Sequence, residues 1–572
     1  MMGIRRKMAI AAAFGLLGGC MAPLPIAMAP PPPLQMPDNL DAGHADMARM
    51  SAVARVLSDD RLMGRAPGGP GEQGAVDYLI AQFREAGLAP AGENGSWVQA
   101  VPLVHTQLSG PVVASVRHQG STRPLTWGSD YSLNTSVPAA EARIADAPLV
   151  FVGYGVSAAE RGWDDFKGAD LKGKVLLMLV NDPDFEAVAG DDSDGRFGGI
   201  AMTYYGRWVY KFEEAARQGA AGVLIIHQSD AAGYGWQVAS GGARGENFSL
   251  DLLPGAPRPP VLQGWIQGPV AAGIVKSAGF DLDILKRAAR RKDFRPVDLH
   301  TTFSASSPVS VERIASQNVL GKLDGRSRPN EFVSFGGHWD AHGVGKPDAQ
   351  GRTIRAGALD DALGLAAMIE VARRFVAGPR PERSLLFTAW TAEESGLLGS
   401  EYYAQHPTVP LAKMVANLTF DTLQPNGATN DVVLIGKGQS EMETVLAEEA
   451  AKQGRSVSIE GHPERGLFFR ADHFSLAKRG VPVLLSMALA GAYDMKAGGR
   501  AAGEQWLSDF TANCYHQPCD AWSPTWNLDG AQQEADLFFA IGERLANGRA
   551  WPRWLPASEF AKVRAASDAE RH

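Results

Sequence analysis

The sequence predicts an α/β protein: a mostly parallel sheet flanked by helices, with a smaller β-rich unit inserted into it. Two observations carry that expectation. From about 310 to 546, apolar runs of strand length alternate with segments whose apolar residues recur every three to four positions. Such alternation implies parallel strands covered by helices on both faces. Between roughly 140 and 300, a strand, a helix and another strand follow closely enough to bury a small core of their own. At 572 residues the chain is too long for one compact core. Its formal net charge of -8 argues against a general nucleic-acid binder, which needs a basic face.

Residues 1–20 read as an address. Arg5, Arg6 and Lys7 precede a short apolar stretch, about half of the ~20 residues that a membrane-spanning helix needs. The stretch ends in Leu17-Gly18-Gly19-Cys20, which resembles the lipobox of bacterial lipoprotein signals. That resemblance implies export, cleavage before Cys20, and a lipid anchor on its sulfur; Met21 in the next position points to the outer membrane. A plain secretory signal is the alternative. Residues 21–45 are proline-rich and expected to extend as a tether.

The body begins near Asp46. MARMSAVARVLS and AVDYLIAQFREAGL have helical spacing, and WVQAVPLV and PVVASVRH read as strands. In the inserted stretch, LVFVGYG, LKGKVLLMLV and AGVLIIHQ read as strands and WVYKFEEAARQGA as an amphipathic helix. This stretch resembles a protease-associated (PA) domain. DDSDGR (191–196) lacks the twelfth-position glutamate of a calcium loop, since Met202 stands there, and is expected to be a solvated turn. Beyond 310 the strands are NEFVSFGG, RSLLFTAW, KMVANLTF and VPVLLSMA. They alternate with helices over DALGLAAMIEVARRFV, GLLGSEYYAQH, SEMETVLAEEAAKQ and GAQQEADLFFAIGERLAN. In the first of these helices Leu365, Met368, Ile369, Ala372 and Phe375 define one apolar face. The expected division is a discontinuous domain of 46–135 and 305–550, an insertion over 140–300, and a tail from 551 to 572.

Ligands of parallel sheets bind beyond the carboxyl ends of the strands. His338 and Asp340 follow the first of these strands, Asp360 and Asp361 precede the first helix, and Glu393 and Glu394 follow the second strand. Asp421 follows the third, and Tyr515 and His516 stand before the last helix. Imidazoles and carboxylates suit zinc. No GxSxG elbow supports a serine hydrolase.

The order HxD, GAxDD, EE, D and YH resembles peptidase family M28, whose zinc-exopeptidase-like fold matches the expected architecture. LSDDRLMGRAPGGPG, RADHF…GVPVLL, the glycines ahead of His338 and the YHQP…D ending belong to the same pattern. The resemblance implies two zinc ions per chain. One is held by His338, Asp360 and Asp421; the other by Asp360, Glu394 and His516, with Asp360 bridging. Asp340 then fixes the ring of His338, Glu393 serves as general base, and Tyr515 stabilises the oxyanion or simply packs. The implied reaction is hydrolysis of peptide substrates by an exported aminopeptidase. The alternatives are a single-zinc cyclase of the glutaminyl type, or a dipeptidase or carboxypeptidase on the same fold. His342, four residues after His338, mimics a helical ligand pair, but its glycine-flanked position after a strand argues against helical geometry. His473 and Asp472 are expected to pack or to line the substrate pocket, His406 and His462 to lie on the surface, and His227 to sit in a core or at its rim. Cys514 and Cys519 are expected to bridge in an oxidising compartment, with two buried thiols as the alternative.

Overall fold

The structure is a computed structural model that describes residues 43–571 apart from 111 and 242–244. The signal with Cys20 and nearly all of the expected tether lie outside the described residues. The last of the tether is docked: Ala45 is buried and its N–H donates to Asp536 Oδ1 at 2.9 Å.

Eighteen elements position the site. They are α1 (Met47–Leu57), α2 (Glu72–Glu85), β1 (Val98–Leu108), β2 (Glu141–Phe151), β3 (Val175–Leu179), α3 (Trp208–Arg217), β4 (Gly222–His227), β5 (Leu262–Gln267) and β6 (Val297–Leu323). Then come β7 (Arg328–His338), α4 (Leu363–Ala377), β8 (Arg383–Trp390), α5 (Leu398–Gln405), β9 (Met414–Phe420), α6 (Met442–Lys452), β10 (Val483–Ser486), α7 (Gly499–Asn513) and α8 (Asp529–Asn547).

In the second half of the chain β10, β9, β7 and β8 lie side by side, all parallel. Each is buried on both faces, which explains why they read as unbroken apolar runs. The register sets His338 opposite Trp390 and Gly336 opposite Thr419, so three strands end at one level. In the inserted region β2, β3, β4 and β5 form a second parallel set. The 27-residue β6 joins the two sets, pairing antiparallel with β2 at one end and with β8 at the other. Among the described residues the result is one continuous fifteen-stranded sheet rather than two separate ones.

Two large cores follow. The first gathers α1, α2, α4 and α8 around β7–β9. The apolar face read on α4 is buried as expected, and so is most of the helix. Its polar side is covered by α1, where Arg49 donates from Nε and Nη2 to Glu370 at 2.8 Å each. The second core spans residues 108–309. It takes in Val112, Ala114, Val116, Leu125, Tyr131 and Leu133, which stand ahead of the expected 140–300 stretch in the chain. The C-terminal stretch is packed down: Phe560 is buried against Phe468 and Phe474, and Trp554 against Phe560. No helix among the described residues is long and apolar enough to cross a membrane.

Candidate metal centre

All the expected ligands converge beyond the ends of β7, β8 and β9. His338, the last residue of β7, is buried; its Nε2 lies 3.1 Å from Asp360 Oδ1 and 4.0 Å from Glu393 Oε2. Asp360 stands between two imidazoles, since its Oδ2 is 3.3 Å from His516 Nε2. Glu394 Oε2 lies 3.3 Å from the same His516 nitrogen. Donor atoms of His338, Asp360 and Asp421 lie within 4.8 Å of one another.

The glycines ahead of His338 are there for space. A Cβ on Gly337 would sit 2.8 Å from Asp361 Oδ2, and one on Gly336 would meet Trp390 Nε1 at 2.8 Å. Asp361 uses that room to accept from the backbone N–H groups of His338 (3.1 Å) and Thr422 (3.3 Å), tying β7 to the residue after Asp421. The peptide bond between Asp360 and Asp361 is cis.

Asp340 works differently from the expectation. The atom it offers to His338 Nδ1 is its main-chain oxygen at 3.1 Å, while its carboxylate is 3.7 Å away. The carboxylate accepts instead from the N–H groups of Glu393 (3.0 Å) and Glu394 (3.3 Å). Asp340 therefore fixes the glutamate pair through its side chain and the histidine ring through its backbone.

The electrostatics suit bound cations. Burial would raise Asp360, yet His338 and His516 hold it well below the usual carboxylate range. Burial and the adjacent Asp360 push Asp421 up to about 7. Burial raises Glu393 well above its ordinary value against the pull of His338. Charged carboxylates crowded out of water are costly unless paired or bound to metal. The Nε2 atoms of His342 and His516 are buried without a hydrogen bond. Unsatisfied imidazole nitrogens facing buried carboxylates are what a zinc site needs, so the residues present fit the group.

Two contributors carried no assigned role in the sequence. Asp520, the acid of the YHQP…D ending, accepts from Leu359 N–H (2.8 Å) and Asp360 N–H (3.2 Å). Arg65, fully buried, donates to the carbonyls of Leu57, Trp339, Ala356 and Gly357. Its segment, LSDDRLMGRAPGGPG, was the available signal. His342 is the third surprise. It is not helical, but its Nε2 lies 3.0 Å from Glu394 Oε2 and its ring centroid 4.1 Å from that of His516.

Cys514 and Cys519 form a disulfide that closes the loop bearing Tyr515 and His516. The Tyr515 ring lies 3.7 Å from that of His516 and faces the cleft. The cleft, of about 1000 Å³, is walled by both halves of the molecule: Tyr204, Arg207 and Phe248 on one side, Leu397, Phe469 and Arg470 on the other. His473 packs against Phe468 and lies outside this lining, as does Asp472. His227 is buried between Trp236 and Trp265, and His406 and His462 are exposed.

Residues 318–540 match the model of peptidase family M28. His338, Asp360, Glu393, Glu394, Asp421 and His516 all lie inside that segment, so the ligand-bearing half is the part of the chain that is similar to M28 peptidases. A probable zinc metalloprotease of Pyrenophora teres f. teres (strain 0-1) is 34% identical over 149 residues, covering 25% of this chain and 30% of the relative. Leupeptin-inactivating enzyme 1 of Streptomyces exfoliatus is 29% identical over 198 residues, covering 34% of this chain and 40% of the relative. The chain thus spans about a third of the length of these curated relatives. Among solved structures, an aminopeptidase from Aneurinibacillus sp. strain AM-1 aligns over 89% of this chain and 96% of its own, at 20% identity and TM-score 0.49.

Proposed function

We propose that the chain is an exported dinuclear-zinc aminopeptidase, releasing residues from the amino ends of peptides. The observation that carries the two-metal reading is the position of Asp360. Its two oxygens face two different imidazoles, one on each side, and each imidazole has a further carboxylate of its own within reach. A shared anion between two ligand sets is what a pair of neighbouring cations requires.

In this reading His338, Asp360 and Asp421 would hold one zinc, and Asp360, Glu394 and His516 the other. Zinc there supplies Lewis acidity and water that ionises near neutral pH. Glu393, placed by its N–H on Asp340, accepts the proton of the attacking water at its carboxylate and returns it to the leaving amine nitrogen. Tyr515 directs its phenol toward the oxyanion that develops on the scissile carbonyl. Walls from both halves orient the peptide and exclude bulk water. The inserted region, read as PA-like, supplies one of these walls. Cleavage before Cys20 and lipidation of its sulfur would anchor the enzyme at the outer membrane, with the catalytic body held off the lipid.

The test combines metal analysis with two substrate sets. Purified protein should contain two zinc ions per chain and cleave aminoacyl anilides and free peptides, but not their N-acetyl forms. Glu393→Gln should retain the metal and lose about 10²–10⁴-fold in kcat. Equal cleavage of blocked and free peptides would overturn the aminopeptidase assignment; absence of stoichiometric zinc would overturn the metal centre.

A further inference from the structure

The residue that fits least well into the five-ligand scheme is His342. It lies four residues beyond the end of β7, at the foot of a hairpin in which Gly343 and Val344 pair with Arg355 and Ile354. Gly343 allows this with φ of 65°. The hairpin also grips the opposite side of the site, because Arg355 Nε donates to the carbonyl of His516 at 3.1 Å. His342 and His516 are thus positioned by one element, with their rings edge to face.

The distances around Glu394 suit shared coordination of one ion as well as they suit ion pairs. His342 Nε2, Glu394 Oε2, His516 Nε2 and Asp360 Oδ2 form a chain of contacts of 3.0, 3.3 and 3.3 Å. Neither Nε2 makes a hydrogen bond. A zinc tetrahedron with bonds of about 2.0–2.1 Å has edges of about 3.3 Å, so donors sharing one ion stand at such separations without pointing at one another. His342, Glu394 and His516 form a ligand cluster in their own right, with donor atoms within 4.8 Å. They and Asp360 also border a small cavity with room for about one water-sized body.

We propose that His342 is a fourth protein ligand of the second zinc. This rests on the two-zinc reading and adds to it. The second site then presents two imidazoles and two carboxylates, the closed donor count of a structural zinc site. The site of His338, Asp360 and Asp421, with three protein donors, keeps the open position. The two sites are therefore unequal: the second would hold its ion for position, while the first, whose His338 Nε2 lies 4.0 Å from Glu393 Oε2, would serve the reaction.

Stripped wild-type protein titrated with zinc against a chromophoric chelator should show two sites. In His342→Ala the first should be unchanged and the second weakened at least tenfold. Zinc X-ray absorption on the loaded wild type should count three imidazoles over two ions, and this measurement decides the matter alone if the variant fails to fold. Two zincs bound by His342→Ala as tightly as by wild type, or only two imidazoles in the absorption count, overturn this proposal and leave the dinuclear enzyme standing. A wild type without zinc overturns both.

Discussion

Replacing Arg65 with methionine should destabilise the catalytic half by about 3–5 kcal/mol, the cost of removing one partner from a buried charged network. Arg65 is fully buried and its guanidinium spends its donors on four main-chain carbonyls. Leu57 closes α1, Trp339 follows the first ligand, and Ala356 and Gly357 precede Asp360. One side chain thus joins three segments that are distant in sequence. Each orphaned buried carbonyl costs about 1–3 kcal/mol, so the four together set a ceiling that local relaxation lowers. Burial pulls the guanidinium down to about 10, while Asp340, Asp520, Asp361 and Asp360 pull it back up. It therefore stays charged at neutral pH and is the fixed counter-charge behind the acidic cluster. The assay is denaturant unfolding of zinc-loaded and metal-stripped protein, with zinc content measured alongside. Arg65→Met should shift both forms and lower zinc content, and Arg65→Lys, which keeps the charge but not the planar fork, should fall between. A methionine variant within 1 kcal/mol of wild type, with full zinc, would refute the argument.

Other outcomes follow from single contacts. Gly364→Ala would place a Cβ 1.9 Å from Asp361 Oδ1, so it should displace that carboxyl from the His338 and Thr422 amides and cost about 1–3 kcal/mol, read by thermal unfolding and zinc content. Removing the disulfide with Cys514→Ser and Cys519→Ser should cost about 2 kcal/mol from loop closure, measured by unfolding, and weaken zinc binding at His516. His473, buried, has its pKa lowered to about 3, so between pH 6.5 and 3 the unfolded chain binds the extra proton. Stability should therefore fall as pH drops through that window, by at most about 1.4 kcal/mol per unit from this residue, and His473→Gln should flatten the dependence in pH-resolved unfolding curves.

What the sequence made legible follows from the physics of each element. β7, β8 and β9 are buried on both faces and appear as continuous apolar runs, and the chemistry sits at their carboxyl ends, where five weak signals coincide. β6 was hidden because its 27 residues alternate buried and exposed positions, are rich in serine and threonine, and carry Pro308. α7 starts on two glycines and buries only Gly503 and Phe510, leaving little periodicity to read. Arg65 and His342 could not be placed by periodicity at all, since a tight turn and a hairpin bring them to the centre. The Asp340 carboxylate reached its amide partners rather than the imidazole, a choice between neighbouring acceptors that only three-dimensional geometry decides.

β6 runs unbroken from one half of the molecule into the other, with β1 zipped along it from Leu108 to Val98. A ladder of backbone bonds, not a flexible linker, therefore spans the junction. Swinging the halves apart would mean shearing those bonds, so the twist of one ribbon sets how the two walls of the cleft face each other.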